Sequence, residues 1–217
     1  MIEVENTSSG EALERLRVKL SKYKGQFGRG RKFYQSLEGI VEDSLAQRPT
    51  KKRLEAYQFL DLIDKKTRAL DIGSNCGFIS LTIGKLAGEV TGVEASSELV
   101  EISNEAKEIV GGDNCKFINC KFGDFKTDHN FDIILSLAVH GWVEIPFRDY
   151  VEKIANMLNV GGHLVFESHD ITKCQWDKNI KNKEEVLLEY FDIVHRNTVK
   201  DDLIIPRYCY LLKKKIS

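Results

Sequence analysis

Ala69-Leu70-Asp71-Ile72-Gly73-Ser74-Asn75-Cys76-Gly77-Phe78-Ile79-Ser80 decides how the rest of this sequence is read. The opening residues have the apolar character of a buried strand. A glycine turn follows, and the apolar run then resumes as the start of a helix. A βα turn of this kind, at the edge of a parallel sheet, is where nucleotide-like ligands bind. Gly73 and Gly77 remove side chains where the backbone has to bend or come close to a ligand. Asp71 places a carboxylate at the carboxyl end of the strand, facing the turn. A dinucleotide site spaces its glycines G-x-G-x-x-G and holds a diphosphate on a helix N-terminus. Here the glycines fall as G-x-x-x-G with Asn75 in the middle slot, a poor cradle for a diphosphate. The neighbouring carboxylate repels phosphate and suits a cation such as the ammonium of an amino acid.

Downstream of this turn, strands and helices alternate. Strands are expected at 68–72, 89–93, 116–119, 131–136 and 163–167, and helices at 77–86, 96–110, 147–158 and 183–188. The apolar run Ile133-Ile134-Leu135 suits a strand buried on both faces. Two last strands, 190–198 and 203–212, turn at Asp201-Asp202 and pair antiparallel. The rhythm predicts an α/β fold: a Rossmann-like, seven-stranded, mostly parallel sheet with helices on both faces and an antiparallel C-terminal hairpin. Upstream, a helix over 10–23 capped by Ser8 or Ser9, a weakly patterned helical stretch over 33–47, and a helix capped by Thr50 and running to Leu62 form an N-terminal helical layer. Residues 1–66 are read as that layer, lying over the ligand edge of the sheet as a lid, and residues 67–217 as the ligand-binding domain.

The 217 residues, 42% hydrophobic and 30% charged, describe a single soluble globular unit without a spanning helix or a signal peptide. A cytoplasmic location is expected. The five cysteines, Cys76, Cys115, Cys120, Cys174 and Cys209, make no C-x-x-C pair, so reduced thiols are expected and no metal site. The net charge of −1 excludes a protein that is basic throughout, yet Arg15 to Leu37 carries basic residues and no acid, with Tyr23, Phe27, Phe33 and Tyr34 interleaved. That stretch is either a solvated face or a surface for a phosphorylated or polymeric anionic substrate such as RNA.

Glu94 closes the second strand at the distance from the glycine turn where an acid accepts two ribose hydroxyls. Such charged hydrogen bonds contribute roughly 1.5–3 kcal/mol each. At the exit of the fourth strand stands Ser136-Leu-Ala-Val-His140-Gly-Trp142. There the backbone at Ser136 and Leu137 approaches the ligand, His140 takes a proton from an acceptor hydroxyl, and Trp142 stacks on a flat or sugar-like substrate. The alternative is that His140 and Trp142 pack beneath the helical layer. His169 and Asp170, past the fifth strand, are a second base and its orienting partner.

The segment Asp71–Gly77 resembles motif I of the class I S-adenosylmethionine-dependent methyltransferases, with Asn75 replacing their central glycine. The resemblance implies S-adenosyl-L-methionine as cofactor and S-adenosyl-L-homocysteine as product. By the same resemblance Asp71, Gly73, Ser74, Asn75, Gly77, Phe78, Glu94 and Ala95 bind the cofactor, Asp124 accepts the adenine amino group, and Phe125 supplies an amide and an apolar wall. Together with Phe131–Trp142, the turn looks like the bicoid-interacting and methylphosphate-capping branch of RNA methyltransferases. That branch implies an upstream Tyr/Arg pair on the methionine carboxylate, matched by position to Arg48 and more weakly to Tyr34, the latter also a substrate contact. After the fifth strand the chain departs from the branch, with Glu167-Ser-His169-Asp170 in place of its acceptor segment. Three functions are compatible with these residues: O-methylation of a small molecule or glycan-linked acceptor, RNA methylation, and non-catalytic nucleoside binding.

Overall fold

Every second residue of the central strands belongs to the same side, and this alternation builds the molecule. The computed structural model describes residues 3–24, 32–172, 180, 182–199 and 206–216. In chain order its elements are α1 (Glu3–Ser21), β1 (Phe33–Gln35), β2 (Ala46–Arg48), α2 (Thr50–Tyr57), β3 (Arg68–Ile72), α3 (Phe78–Gly84), β4 (Glu89–Glu94), α4 (Ser97–Val110), β5 (Cys115–Asn119), β6 (Phe131–Leu137), α5 (Phe147–Met157), β7 (Leu158–Ser168), α6 (Lys183–Tyr190), β8 (Phe191–Val199) and β9 (Arg207–Lys214). The large sheet runs β5-β4-β3-β6-β7-β9-β8. It is parallel except for β9, which pairs antiparallel with both β7 and β8. Strand order reverses between β3 and β6, so the crevice outside their carboxyl ends is the ligand position such a sheet offers.

Ala69, Ile133, Leu135, Val165, Cys209 and Leu211 face one side and share a core with Leu16, Leu37, Leu54, Tyr57, Ile79 and Leu99. Leu70, Ile72, Ile134, Leu164, Phe166, Tyr210 and Leu212 face the other and pack with α5 and α6. The N-terminal elements therefore share a core with the sheet. By the same parity Asp71, Glu167 and Arg207 project toward the N-terminal side, and Ser136 projects toward α5.

Several expectations need correction. Residues 33–47 are not helical: Phe33–Gln35 pairs in parallel with Ala46–Arg48, and between them lie a tight turn with Gly39 at φ 84° and a 3-10 turn at Asp43–Leu45. Thr50 does not cap α2. Pro49 holds the cap position, and Thr50 binds Ser36 through its amide (2.8 Å) and its hydroxyl (2.6 Å). α2 ends at Tyr57, where Gln58 turns left-handed. α1 begins at Glu3, so Ser8 and Ser9 lie inside it. Cys174 and the Asp201-Asp202 turn lie outside the described residues, as do Phe27, Arg29 and Arg31 of the basic stretch.

The described part of that stretch is largely engaged within the protein. Lys19 pairs with Glu101 and Glu105 on α4, and Lys22 with Glu98. Arg17 donates to the Ile40 carbonyl, and Lys24 lies over the Phe33 ring. Among the described residues no helix is long and apolar enough to cross a membrane.

Candidate functional site

A crevice of about 650 Å³ opens at the reversal point, walled by the turn after β3, the ends of β4 and β6, the loop after β5, and the N-terminal elements. The turn is tied to β4 and closed on itself by backbone hydrogen bonds: Gly73 and Ser74 donate to the Val93 carbonyl of β4, and Gly77 donates to the Ser74 carbonyl. Gly73, Asn75 and Gly77 all take positive φ (67°, 54° and 72°). Asn75 meets this without glycine because its side-chain oxygen accepts the Cys76 amide at 2.8 Å. A Cβ on Gly77 would come within 2.7 Å of the Phe117 ring, so this glycine serves packing of the turn as well as its conformation.

Glu94 is aimed by two amides, Asn75 N–H to Oε2 and Ser96 N–H to Oε1, both at 3.0 Å. Each oxygen keeps a further lone pair for a ligand hydroxyl. Asp71 is buried and accepts the Ser80 hydroxyl at 2.6 Å. Burial pushes its carboxyl from the ordinary 3.8 up to about 6, against the pull of Ser80 and the Arg53 guanidinium. Asp124 stands exposed on the wall in the loop after β5.

Of the residues singled out in the sequence, the crevice brings together Tyr34, Asp71, Gly73, Ser74, Asn75, Glu94, Ala95, Asp124, Leu137 and Trp142. The rest lie elsewhere. Arg48, 1% exposed, turns to Glu167 (3.3 Å) and the Tyr34 hydroxyl (3.4 Å). Ser136 faces α5 and shares a hydrogen bond with Tyr150 at 2.8 Å. Gly77 and Phe78 sit behind the turn, and Phe125 is buried among α5-side residues. His140 is wedged against Phe147 and Phe166, and burial pushes its imidazole down to about 3. It packs against α5 and β7, on the face opposite the N-terminal layer, so neither the base reading nor packing beneath that layer describes it, and its ring is a weak base. His169 is exposed off the wall, and Asp170 spends its carboxylate on Thr172. Trp142, 78% exposed, lies on the wall rather than under the layer. The Cys76 thiol is buried and pushed up to about 12. Among the described residues no cluster of His, Cys, Asp and Glu is placed to hold a metal ion.

Sequence reasoning missed Gln35 and Arg53. Both line the crevice, and both are buried, at 7% and 5% exposure. Arg53 Nη2 and Nε are bound by Glu167 (3.2 Å) and Tyr57 (3.1 Å), while Nη1 has no partner among the described residues. Gln35 Oε1 and Ser74 Oγ are likewise buried and unpartnered. A basic residue on the apolar side of α2, beside Leu54 and one turn before Tyr57, was the available signal. Buried polar atoms without partners cost roughly 1–3 kcal/mol each, so three converging on one crevice mark the place of a polar ligand group.

A family model described as a methyltransferase domain matches residues 63–214. Over 135 residues the chain is 31% identical to sterol 4-C-methyltransferase strm-1 of Caenorhabditis elegans, covering 59% of this chain and 39% of that protein. Over 104 residues it is 29% identical to the uncharacterized methyltransferase YcgJ of Bacillus subtilis (strain 168), covering 47% and 40%. The chain thus spans about two fifths of the length of these curated relatives. N-methyltransferase NodS of Bradyrhizobium japonicum WM9, solved in complex with S-adenosyl-L-homocysteine, shares the fold with a TM-score of 0.64 at 17% identity, over 76% of this chain and 87% of that one. Tyr34, Gln35, Arg48 and Arg53 all precede the matched region.

Proposed function

The chain belongs to the methyltransferase domain family, with S-adenosyl-L-methionine as the methyl donor that goes with it, and from that premise we propose that the protein methylates a hydroxyl of a small molecule or glycan-linked acceptor. The donor supplies an already activated methyl group on a sulfonium, so the protein's task is chiefly to hold donor and acceptor in line. The observation that carries the donor's placement is the trio of unpartnered buried atoms beside Asp71. Arg53 Nη1 meets the methionine carboxylate. Gln35 Oε1 and the Asp71 carboxylate meet its ammonium. Glu94 takes the ribose hydroxyls and Asp124 the adenine amino group. In this reading Arg53 replaces Arg48 as the carboxylate contact, and residues 1–66 act as the lid. Trp142, with Leu137, Val139 and Ile145 on the same wall, offers an apolar seat for the acceptor.

Binding tests the placement. Arg53→Met should weaken S-adenosylhomocysteine roughly ten- to hundredfold in calorimetry, the worth of a charged hydrogen bond, and leave 5′-methylthioadenosine, which lacks the amino acid, unchanged. Equal losses for both ligands would remove Arg53 from the carboxylate. A second check uses pH. Because Asp71 titrates near 6 and only its ionised form attracts an ammonium, S-adenosylhomocysteine affinity should fall as pH drops below 6, by up to tenfold per unit, and Asp71→Asn should flatten that dependence.

A second reading, RNA methylation by the capping branch in a cytoplasmic setting, is supported by the Asn75 turn and the Trp142 exit. The pairing of Lys19 and Lys22 with α4 favours the small acceptor instead. Labelled methyl from S-adenosylmethionine should therefore enter the small-molecule fraction of a cell extract. Label in nuclease-sensitive material, falling steeply with salt, would put RNA in its place.

A further inference from the structure

Tyr34 shares the crevice wall with Leu137 and Ala138, where the acceptor's seat begins, and the donor contacts above leave it without a role. Its hydroxyl oxygen accepts Arg48 Nη1–H at 3.4 Å. Arg48 donates in turn to the Glu167 carboxylate, and the Glu167 carbonyl accepts the Ala138 amide at 2.9 Å. The ring is thereby tied to the same strand ends that shape the acceptor side. We propose that Tyr34 is the general base that takes the proton from the acceptor hydroxyl, an inference that rests on the hydroxyl reading given above.

Among the described residues, guanidiniums from three elements act on the phenol: Arg53 on α2, Arg48 on β2 and Arg207 on β9, the three that also surround the Glu167 carboxylate of β7. Burial opposes ionisation of Tyr34, and the Arg53, Arg48 and Arg207 guanidiniums together outweigh it, holding the phenol below its usual 10. Burial moves Tyr23, Tyr57, Tyr150 and Tyr210 the other way. His140, the base the sequence suggested, is held in an aromatic pocket with its imidazole pushed down to about 3. In the proposed step the acceptor O–H bond breaks and its proton passes to the Tyr34 phenolate oxygen. The acceptor oxygen bonds the methyl carbon, and the electron pair of the broken S–CH3 bond stays on sulfur, which becomes a neutral thioether. Tyr34 then returns its proton to solvent.

Two measurements decide it. Titrating the free protein by tyrosinate absorbance near 295 nm should show one tyrosine ionising below pH 10, and Tyr34→Phe should abolish that early phase. Absence of the phase in the parent protein overturns the proposal whether or not the variant folds, and so does its persistence in the variant. In labelled-methyl transfer from S-adenosylmethionine to methyl glycosides and simple phenols, Tyr34→Phe should lower kcat about a hundredfold or more. It should also erase the rise of rate with pH and keep the S-adenosylhomocysteine Kd within about twofold of the parent. A variant with the parent's kcat and pH profile, or one whose loss lies in donor affinity, overturns the base assignment. Transfer by the parent to primary amines alone overturns the hydroxyl reading itself, a result the tyrosinate titration keeps distinct.

Discussion

Glu167→Ala should unfold at a far lower urea concentration than the parent protein, with a loss of about 3–5 kcal/mol, the usual cost of removing one partner from a buried ion pair. Glu167 is 1% exposed and lies at the centre of a buried cluster. Arg48 and Arg207 donate to Oε1, and Arg53 and the Tyr57 hydroxyl donate to Oε2. The arginines come from β2, α2 and β9, so this one carboxylate joins the N-terminal layer to the sheet. Removing it leaves guanidiniums facing one another in a low-dielectric interior. Against a typical total of about 5–15 kcal/mol, such a loss is a large fraction of stability. The pH dependence follows from the same geometry. Burial alone would favour the neutral acid, but Arg53, Arg48 and Arg207 hold the Glu167 carboxyl far below the usual carboxylate range. A depressed folded-state value means that the stabilisation is complete above about 4.3, the unfolded value, and is lost progressively as pH falls from there toward the folded value. Urea midpoints at pH 7 and pH 3 test both statements. The gap between parent and Glu167→Gln should narrow at pH 3 without closing, and equal midpoints at pH 7 would show that the cluster contributes nothing net.

The sheet was legible because its signal is local. Apolar runs alternating with amphipathic helices mark β3 to β9 whatever the rest of the chain does, and the acids at the strand ends, Asp71 and Glu94, come with them. The N-terminal layer was not legible. Leu37, Ile40 and Val41 have helical spacing and are all buried, yet they fold as a turn about Gly39 because Phe33–Gln35 pairs with Ala46–Arg48 across an intervening loop. No local pattern announces a parallel pair of that kind. Arg48 and Arg53 illustrate the same limit at the site. Both are buried arginines on neighbouring elements and both reach Glu167, but Arg53 lines the crevice, with its Nη1 lacking a partner among the described residues, and Arg48 does not. His140 failed for a different reason. Its place after β6 was read correctly, but it begins a 3-10 turn that directs the ring toward α5 and away from the crevice.

Glu94→Ala should reduce S-adenosylhomocysteine affinity by roughly two to four orders of magnitude, which makes it the most damaging single change to donor binding. Two ribose hydroxyls bound by one carboxylate are worth about 1.5–3 kcal/mol each. Glu94 also accepts the Asn75 and Ser96 amides, so its removal frees the glycine turn from the N-terminus of α4 and adds a local structural cost to the lost contacts. Glu94→Gln separates the two. The amide keeps the side-chain shape and one acceptor oxygen, so the turn stays tied on one side while the charge is gone, and the loss should shrink to about ten- to a hundredfold. Calorimetric titration of both variants with S-adenosylhomocysteine and with adenosine makes the ribose contact visible, since adenosine carries the same hydroxyls without the amino acid and should lose a similar factor. If adenosine binding survives Glu94→Ala while S-adenosylhomocysteine binding does not, Glu94 acts on the methionine end. Unchanged affinity for both would remove it from the donor site altogether.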